Sequence, residues 1–327
     1  MINRFDIFSY SVPLAIQGEP KQGFLVKVTD NQGKSQWAEA SPLPGWSNES
    51  LCQVENQLLT ICEHLIGSCS SKALQYLLNT DNLLPSVSCG LFCAIYGLSH
   101  PKTNFPYEVS GLLYGNYEQI LSQLKDLESK GFRYVKLKTS KLTIPQSHNL
   151  IEQLSKKYKL RLDINRGWTC KETNDFLSSY PINFFDYIEE PYADIKMINS
   201  CRFPLALDES LREMVHKELV VPSTIKAIVF KPMLMGIGPK SQAIIHHALK
   251  NQLKISFSSS FETGVGLCQI PLFVDFFNIK KTTLGIDTYK FMPNDLLTER
   301  HYIKDGKAFF SEINPNLEFL KKVRSVY

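Results

Sequence analysis

The 327-residue chain is 43% hydrophobic and 21% charged, ordinary figures for a globular protein that exclude disorder, collagen and coiled coil. Its 36 basic and 32 acidic residues leave a net charge of +4. The densest basic stretch, Lys156, Lys157, Lys159 and Arg161, is too mild and dispersed for a nucleic-acid footprint.

The opening MINRFDIFSYSV alternates as a strand with Arg4 and Asp6 inside it, so it lacks the apolar core of a signal peptide. GFLVKVTD and SQWAEA are strand-like runs on either side of Asn31-Gln32-Gly33, where Gly33 can supply the positive φ of a hairpin turn. A proline-rich loop, SPLPGWSNES, follows. Ser50 then caps a predicted helix carrying Leu51, Val54, Leu58 and Ile61 on one face. The most apolar stretch, Leu83 to Leu98, is interrupted by Pro85, Ser86 and Ser88 and is too short and broken to span a bilayer. The eight cysteines, irregularly spaced from Cys52 to Cys268, form neither a disulfide framework nor a paired zinc pattern. Free thiols in a reducing cytoplasm are the expectation.

From Pro106 the rhythm changes to short apolar strands separated by helical segments: YEVSGLL, RYVKLK, LRLDIN, FFDYIEE, PLALDES, AIVFKP, KISFSSS and TLGIDTY. Between the first two, Ile120, Leu121, Leu124 and Leu127 keep helical spacing and Gly131 is placed to end the helix. Strand starts recur roughly every 20 to 28 residues, the period of βα units rather than hairpins. Eight in series predict an α/β fold with a closed parallel barrel, from Pro106 to about Tyr289, whose helices are short and whose last helix is missing. HYIKDGKAFF predicts one more hairpin around Asp305-Gly306, and the strand-like tail after Tyr289 is expected to fold back on the N-terminal unit.

Polar residues end strand after strand: Lys136 and Lys138, Asp163 and Asn165, Glu189 and Glu190, Asp208 and Glu209, Lys231, then Ser258 and Ser260. In a β/α barrel those ends converge on one mouth, where active sites of this fold lie. Three carboxylates from adjacent strands, Asp163, Glu189 and Asp208, raise one another's pKa unless a cation neutralises them. Hard oxygens without Cys or His favour Mg²⁺ over zinc, and an ion-pair network with Lys and Arg partners is the other account of them, Arg161 and Arg166 being close in sequence. Lys138 and Lys231 flank the trio. Lys136 and Lys138 point the same way because strand side chains alternate. Crowded ammonium groups near a cation are expected to lower the pKa of at least one, making a base usable near neutral pH.

These residues resemble the enolase superfamily, and within it the o-succinylbenzoate synthases. SPLPGWSNES is similar to the family's mobile substrate loop, VKLK to its KxK, LRLDIN to its DxN, YIEEP and ALDES to its acidic strand ends, VFKP to its second lysine, and SSSFETGVG to its serine-rich strand and loop. The resemblance implies a (β/α)7β TIM-like barrel, residues 106–289, under an α+β capping domain formed by both chain ends, residues 1–105 and 290–327. It implies Asp163, Glu189 and Asp208 as Mg²⁺ ligands, Glu189 being chosen over Glu190, with Mn²⁺ able to substitute. Lys138 and Lys231 match its acid/base pair. Lys136, Arg161, Asn165, Ser258 and Ser260 are its implied substrate contacts. The implied reaction is dehydration of 2-succinyl-6-hydroxy-2,4-cyclohexadiene-1-carboxylate to 2-succinylbenzoate in menaquinone biosynthesis, by abstraction of the proton next to a carboxylate with an Mg²⁺-stabilised enediolate. The implied partner is thus a small anionic substrate, with no nucleic acid and no membrane; the sequence leaves the oligomeric state open.

N-succinylamino acid racemases and dipeptide epimerases share the KxK, DxN and opposite-lysine strings and are the nearest rival. A non-catalytic barrel would have lost a ligand or lysine, and all five are present. Gly236-Ile237-Gly238 and Gly264-Val265-Gly266 complete no phosphate-cradling motif, and adjacent His246 and His247 do not face one way on a helix.

Overall fold

A computed structural model describes residues 1–16, 18–100, 106–214 and 223–327. Strands β1 (Ile2–Val12), β2 (Lys21–Asp30) and β3 (Ser35–Ala40) form an antiparallel sheet. As expected, Gly33 takes φ +82 in the turn between β2 and β3, where the Asp30 carboxylate accepts from Gln32 N and Lys34 N. One face of the sheet, with Phe5, Ile7, Val26 and Val28, is buried against helices α1 (Leu51–Leu65), α2 (Ser70–Asn79) and α3 (Pro85–Ser99). Ser50 caps α1 and Gln53 returns the bond, a reciprocal capping box. Residues 86–98 of α3 are buried throughout, because this helix is packed between the sheet and the barrel. Gly90 permits the approach: a Cβ there would lie 2.9 Å from Glu39 O.

The next unit departs from the predicted first strand. YEVSGLL is divided into β4 (Tyr107–Glu108) and β5 (Ser110–Leu113), which belong to different sheets. Parallel strands β5, β6 (Tyr134–Lys138), β7 (Lys159–Asp163), β8 (Tyr187–Glu189), β9 (Leu205–Leu207), β10 (Ile225–Phe230) and β11 (Lys254–Phe257) lie side by side in chain order. Leu284 and Gly285 join the two edges: Ser110 N donates to Leu284 O at 2.9 Å and Gly285 N to Phe257 O at 2.8 Å. The predicted eighth strand TLGIDTY is therefore reduced to isolated bridges, and Asp287–Phe291 coils into a 3₁₀ turn. The physical reason is that the Asp287 side chain, rather than strand backbone, accepts from Leu112 N.

The predicted hairpin is present as β12 (Tyr302–Lys304) and β13 (Lys307–Phe309), with positive φ at both Asp305 and Gly306. The hairpin itself pairs with β4, while the tail returns to the N-terminal sheet as expected. The final strand β14 (Leu320–Val326) is the segment that pairs with β1. The expected division at residue 105 falls outside the described residues. None of the eight cysteines is in a disulfide, and no helix among the described residues is long and apolar enough to cross a membrane.

Buried charges tie the N-terminal sheet to the barrel. Glu39, fully buried on β3, accepts from Tyr10 Oη and Ser41 Oγ, each at 2.6 Å, from both donors of Thr263, and from Gly266 N at 3.0 Å. Beside it, buried Lys21 donates to Ser41 O and Pro42 O at the root of the SPLPGWSNES loop. Glu262, buried nearby, accepts from Ser260 N; burial raises its carboxyl to about 7, against the pull of Lys21.

Glu39→Leu leaves four sets of buried donors without a partner, each costing about 1–3 kcal/mol, so urea unfolding is expected to show a loss of more than about 4 kcal/mol. The raised Glu262 carboxyl holds its proton in the folded chain after an unfolded one has released it. Its stabilisation is therefore present at low pH and is lost as pH rises through about 7. Between pH 5 and 8, wild-type stability is expected to fall by about 3 kcal/mol more than that of Glu262→Gln, read from denaturant midpoints; parallel curves would refute it.

Candidate active site

Parallel register brings the polar strand ends together. Lys138, Asp163 and Glu189 are Cα partners across β6, β7 and β8. Glu189 is paired with Ala206 on β9, and Asp208 follows two residues later on the same side. The ends surround a cavity of about 320 Å³ at the barrel mouth, bordered by Lys136, Lys138, Arg161, Asn165, Glu189 and Lys231 together with Ser258 and Ser260. Asp163 and Glu189 are wholly buried and Asp208 almost so.

Ammonium groups stand among the carboxylates. Lys136 Nζ donates to Glu189 Oε1 and Oε2 at 2.9 and 3.1 Å and lies 3.1 Å from Asp163 Oδ2. Lys138 Nζ lies 3.3 Å from the same Oδ2 and donates to Asn165 Oδ1 at 3.1 Å. Lys231 Nζ donates to Asp208 Oδ2 from the far side. Arg166, the other cation weighed against a metal, is turned away to Glu190. Burial disfavours the charge on Asp163, but Lys138 and Lys136 outweigh it and hold the carboxyl low. Asp208 is held low in the same way by Lys231. Glu189 is lifted well above the carboxylate range by burial and by the charge of Asp163.

The expected lowering of a lysine pKa is not what Lys136 and Lys231 show. Burial pulls both down, but Glu189 and Asp163 hold Lys136 well up, and Asp208 holds Lys231 up. Attraction to three buried carboxylates exceeds repulsion between ammonium groups. Among the described residues no three Asp, Glu, His or Cys side chains converge as a ready cation cage, because lysine nitrogens lie between them. The donor set nonetheless fits a hard divalent cation: three carboxylates, no sulfur and no imidazole. Asp163 Oδ2, within ion-pair reach of two lysines, accepts a properly aligned hydrogen bond from neither.

The adjacent glutamates differ in what they touch. Glu189 borders the cavity, whereas Glu190, at φ +43, accepts from Asp208 N at 2.7 Å, Ser210 N at 2.9 Å, Ser210 Oγ and Arg166 Nε. It braces the turn that presents Asp208. Asn165 and Arg166 both take positive φ, which swings Asn165 back to receive Lys138. Ser258 Oγ donates to Gly285 O, while Ser260 Oγ is buried at the cavity without a partner.

Ser110, Tyr114 and Tyr187 border the cavity without any sequence signal. Ser110 Oγ is a second buried hydroxyl without a partner, and its place inside YEVSGLL reads as ordinary strand. Tyr187 and Tyr114 line the wall, with the Tyr114 ring 6.0 Å from Lys138 Nζ. Trp46 from the SPLPGWSNES loop lies over Lys231, 5.6 Å from Nζ to ring centre, and Arg212 holds its carbonyl at 2.9 Å. His246 packs edge-on against Phe277, away from this site.

A family model described as "MenC, N-terminal domain" matches residues 3–98. The o-succinylbenzoate synthase of Pasteurella multocida is 28% identical over 318 residues, covering 89% of this chain and 91% of that protein. Among solved structures, an enolase superfamily member from Roseovarius nubinhibens complexed with magnesium superposes with TM-score 0.79 at 16% identity, over 99% of this chain and 98% of that one. The L-Ala-D/L-Glu epimerase of Bacillus subtilis does so with TM-score 0.77 at 18% identity, over 100% and 99%. The matched N-terminal model and the near full-length likeness to the Pasteurella protein make this chain similar to the o-succinylbenzoate synthases, and the solved structures show that it shares the fold of enolase superfamily members.

Proposed function

We propose that this chain is an Mg²⁺-dependent o-succinylbenzoate synthase, a hydro-lyase that converts 2-succinyl-6-hydroxy-2,4-cyclohexadiene-1-carboxylate to 2-succinylbenzoate in menaquinone biosynthesis. The observation that carries this reading is the pair of lysines, Lys138 and Lys231, on opposite sides of three buried carboxylates at one barrel mouth. Residues 106–289 act as a (β/α)7β barrel and residues 1–105 with 290–327 as its cap; pairing of β14 with β1 supports that division. Eight unbridged cysteines accord with a reducing cytoplasm.

Asp163, Glu189 and Asp208 would hold the cation. When bound, Mg²⁺ supplies a positive centre for the substrate carboxylate and offsets the negative charge of its three ligands. Lys138, steadied by Asn165 Oδ1, removes the proton on the carbon bearing the carboxylate and returns a proton to the departing hydroxyl. Loss of water makes the ring aromatic, so the second step is downhill. Lys231 stays protonated on the opposite face and stabilises the negative charge that develops on the ring. Lys136, spanning Asp163 and Glu189, keeps those two carboxylates in place. Arg161 at the floor and Ser258 and Ser260 on the wall contact the rest of the substrate, the unpartnered Ser260 hydroxyl being ready to do so. Trp46 covers the Lys231 side from above and excludes water.

With metal retained, Lys138→Ala and Lys231→Ala are each expected to lower kcat for dehydration by about 10²-fold or more, measured with the authentic cyclohexadiene; near wild-type turnover by either variant refutes the assignment. Removal of divalent cations by chelation is expected to abolish turnover, and Mg²⁺ to restore it. Incubation with N-succinyl amino acids in D₂O tests the racemase alternative: rapid α-deuteration with racemisation and no dehydration of the cyclohexadiene would favour it.

A further inference from the structure

Beneath the cavity the barrel is closed by a charged stack. Arg161, on β7, is 4% exposed; its guanidinium lies 4.7 Å from the ring centre of Tyr134 and 4.8 Å from that of Tyr187. Two aromatic rings thus lie within cation–π range of the guanidinium, a favourable arrangement when desolvated. Its Nε donates to Asp186 Oδ2 at 3.0 Å, and Nε is its one nitrogen with a hydrogen-bond partner among the described residues. The same residue borders the cavity above.

Asp186 sits at the foot of β8 with its side chain 1% exposed. Besides Arg161 it takes Lys159 at 3.3 Å from β7 and Lys254 from the foot of β11, three strands round the sheet. A buried carboxylate needs cations or hydrogen-bond donors, and here three cations converge on one. Burial opposes its ionisation, yet Arg161 and Lys254 keep the carboxyl low. An arginine held at Nε by Asp186 and packed against two aromatic rings has few orientations left to it, which keeps its Nη groups from collapsing onto nearby carboxylates.

We propose that Asp186 is a positioning residue for substrate binding: from below the barrel floor it fixes the Arg161 guanidinium, with Tyr134 and Tyr187 as side walls, so that Arg161 meets the anionic substrate preformed. This rests on the reading of Arg161 as a substrate contact. Asp186 itself touches no substrate; it acts through Arg161.

The test is a double-mutant cycle on the Mg²⁺-loaded enzyme with the cyclohexadiene substrate, reading kcat and KM separately, with melting temperatures alongside. Asp186→Asn is expected to raise KM about tenfold with kcat within about twofold, and to change KM by less than about twofold in an Arg161→Met background. Tyr134→Leu, which removes one wall and leaves the buried charges paired, is expected to raise KM in the same direction, and serves if Asp186→Asn does not fold. Equal effects of Asp186→Asn in both backgrounds, or unchanged KM in Asp186→Asn while Arg161→Met is impaired, overturns the proposal. Unchanged KM in Arg161→Met overturns instead the assignment of Arg161 on which it rests.

Discussion

An ionised carboxylate cannot be taken out of water unless cations or hydrogen-bond donors replace the lost hydration, and this protein buries several at the points where its parts meet. Glu39 joins the N-terminal sheet to the turn after β11. Glu190 joins the end of β8 to the turn after β9. Asp186 gathers side chains from β7 and β11 under the floor. Asp163, Glu189 and Asp208 meet at the mouth. The donors each one requires determine which segments come together there.

What does the neutralising separates structure from chemistry. Glu39 and Glu190 are satisfied largely by backbone N–H groups and hydroxyls, which are fixed in place and leave no charge to spare. The mouth carboxylates are satisfied by lysine ammonium groups on long stems. Such groups can move aside for a cation and still remain at the cavity edge, which is what a site needs if it is to take up a metal and an anionic substrate. The raised carboxyl of Glu189 reflects its burial first and then the charges of Asp163 and Asp208, which Lys136 and Lys231 oppose.

The sheet turns this electrostatic arrangement into a directional one. Lys138, Asp163 and Glu189 are held in register by consecutive parallel strands, while Lys231 arrives from β10, on the other side of β9. Two ammonium groups on opposite faces of one bound anion can divide proton transfer from charge stabilisation. The positive φ at Asn165 and Glu190 is local backbone strain at the ends of β7 and β8, and in both cases it aims a side chain at a neighbour that faces the site.

Much of this was legible in the chain itself. The βα period, the hairpin at Gly33, the Ser50 cap and the polar strand ends all follow from local rules: side-chain alternation, turn stereochemistry and capping are short-range. The same rules failed where partners were distant. TLGIDTY has strand composition, but the Asp287 carboxylate takes the Leu112 N–H that a strand would have used. YEVSGLL is one run in sequence and two strands in space. Glu39, Asp186 and Ser110 look like ordinary strand residues, and the directions of the Lys136 and Lys231 shifts depend on which carboxylates lie around them. The sequence by itself determined which chemical groups stand at the strand ends, because alternation and the βα repeat are properties of neighbouring residues. Only the tertiary structure decided which buried charge is paired with which, since that depends on segments as far apart as residues 39 and 266 reaching the same few ångströms.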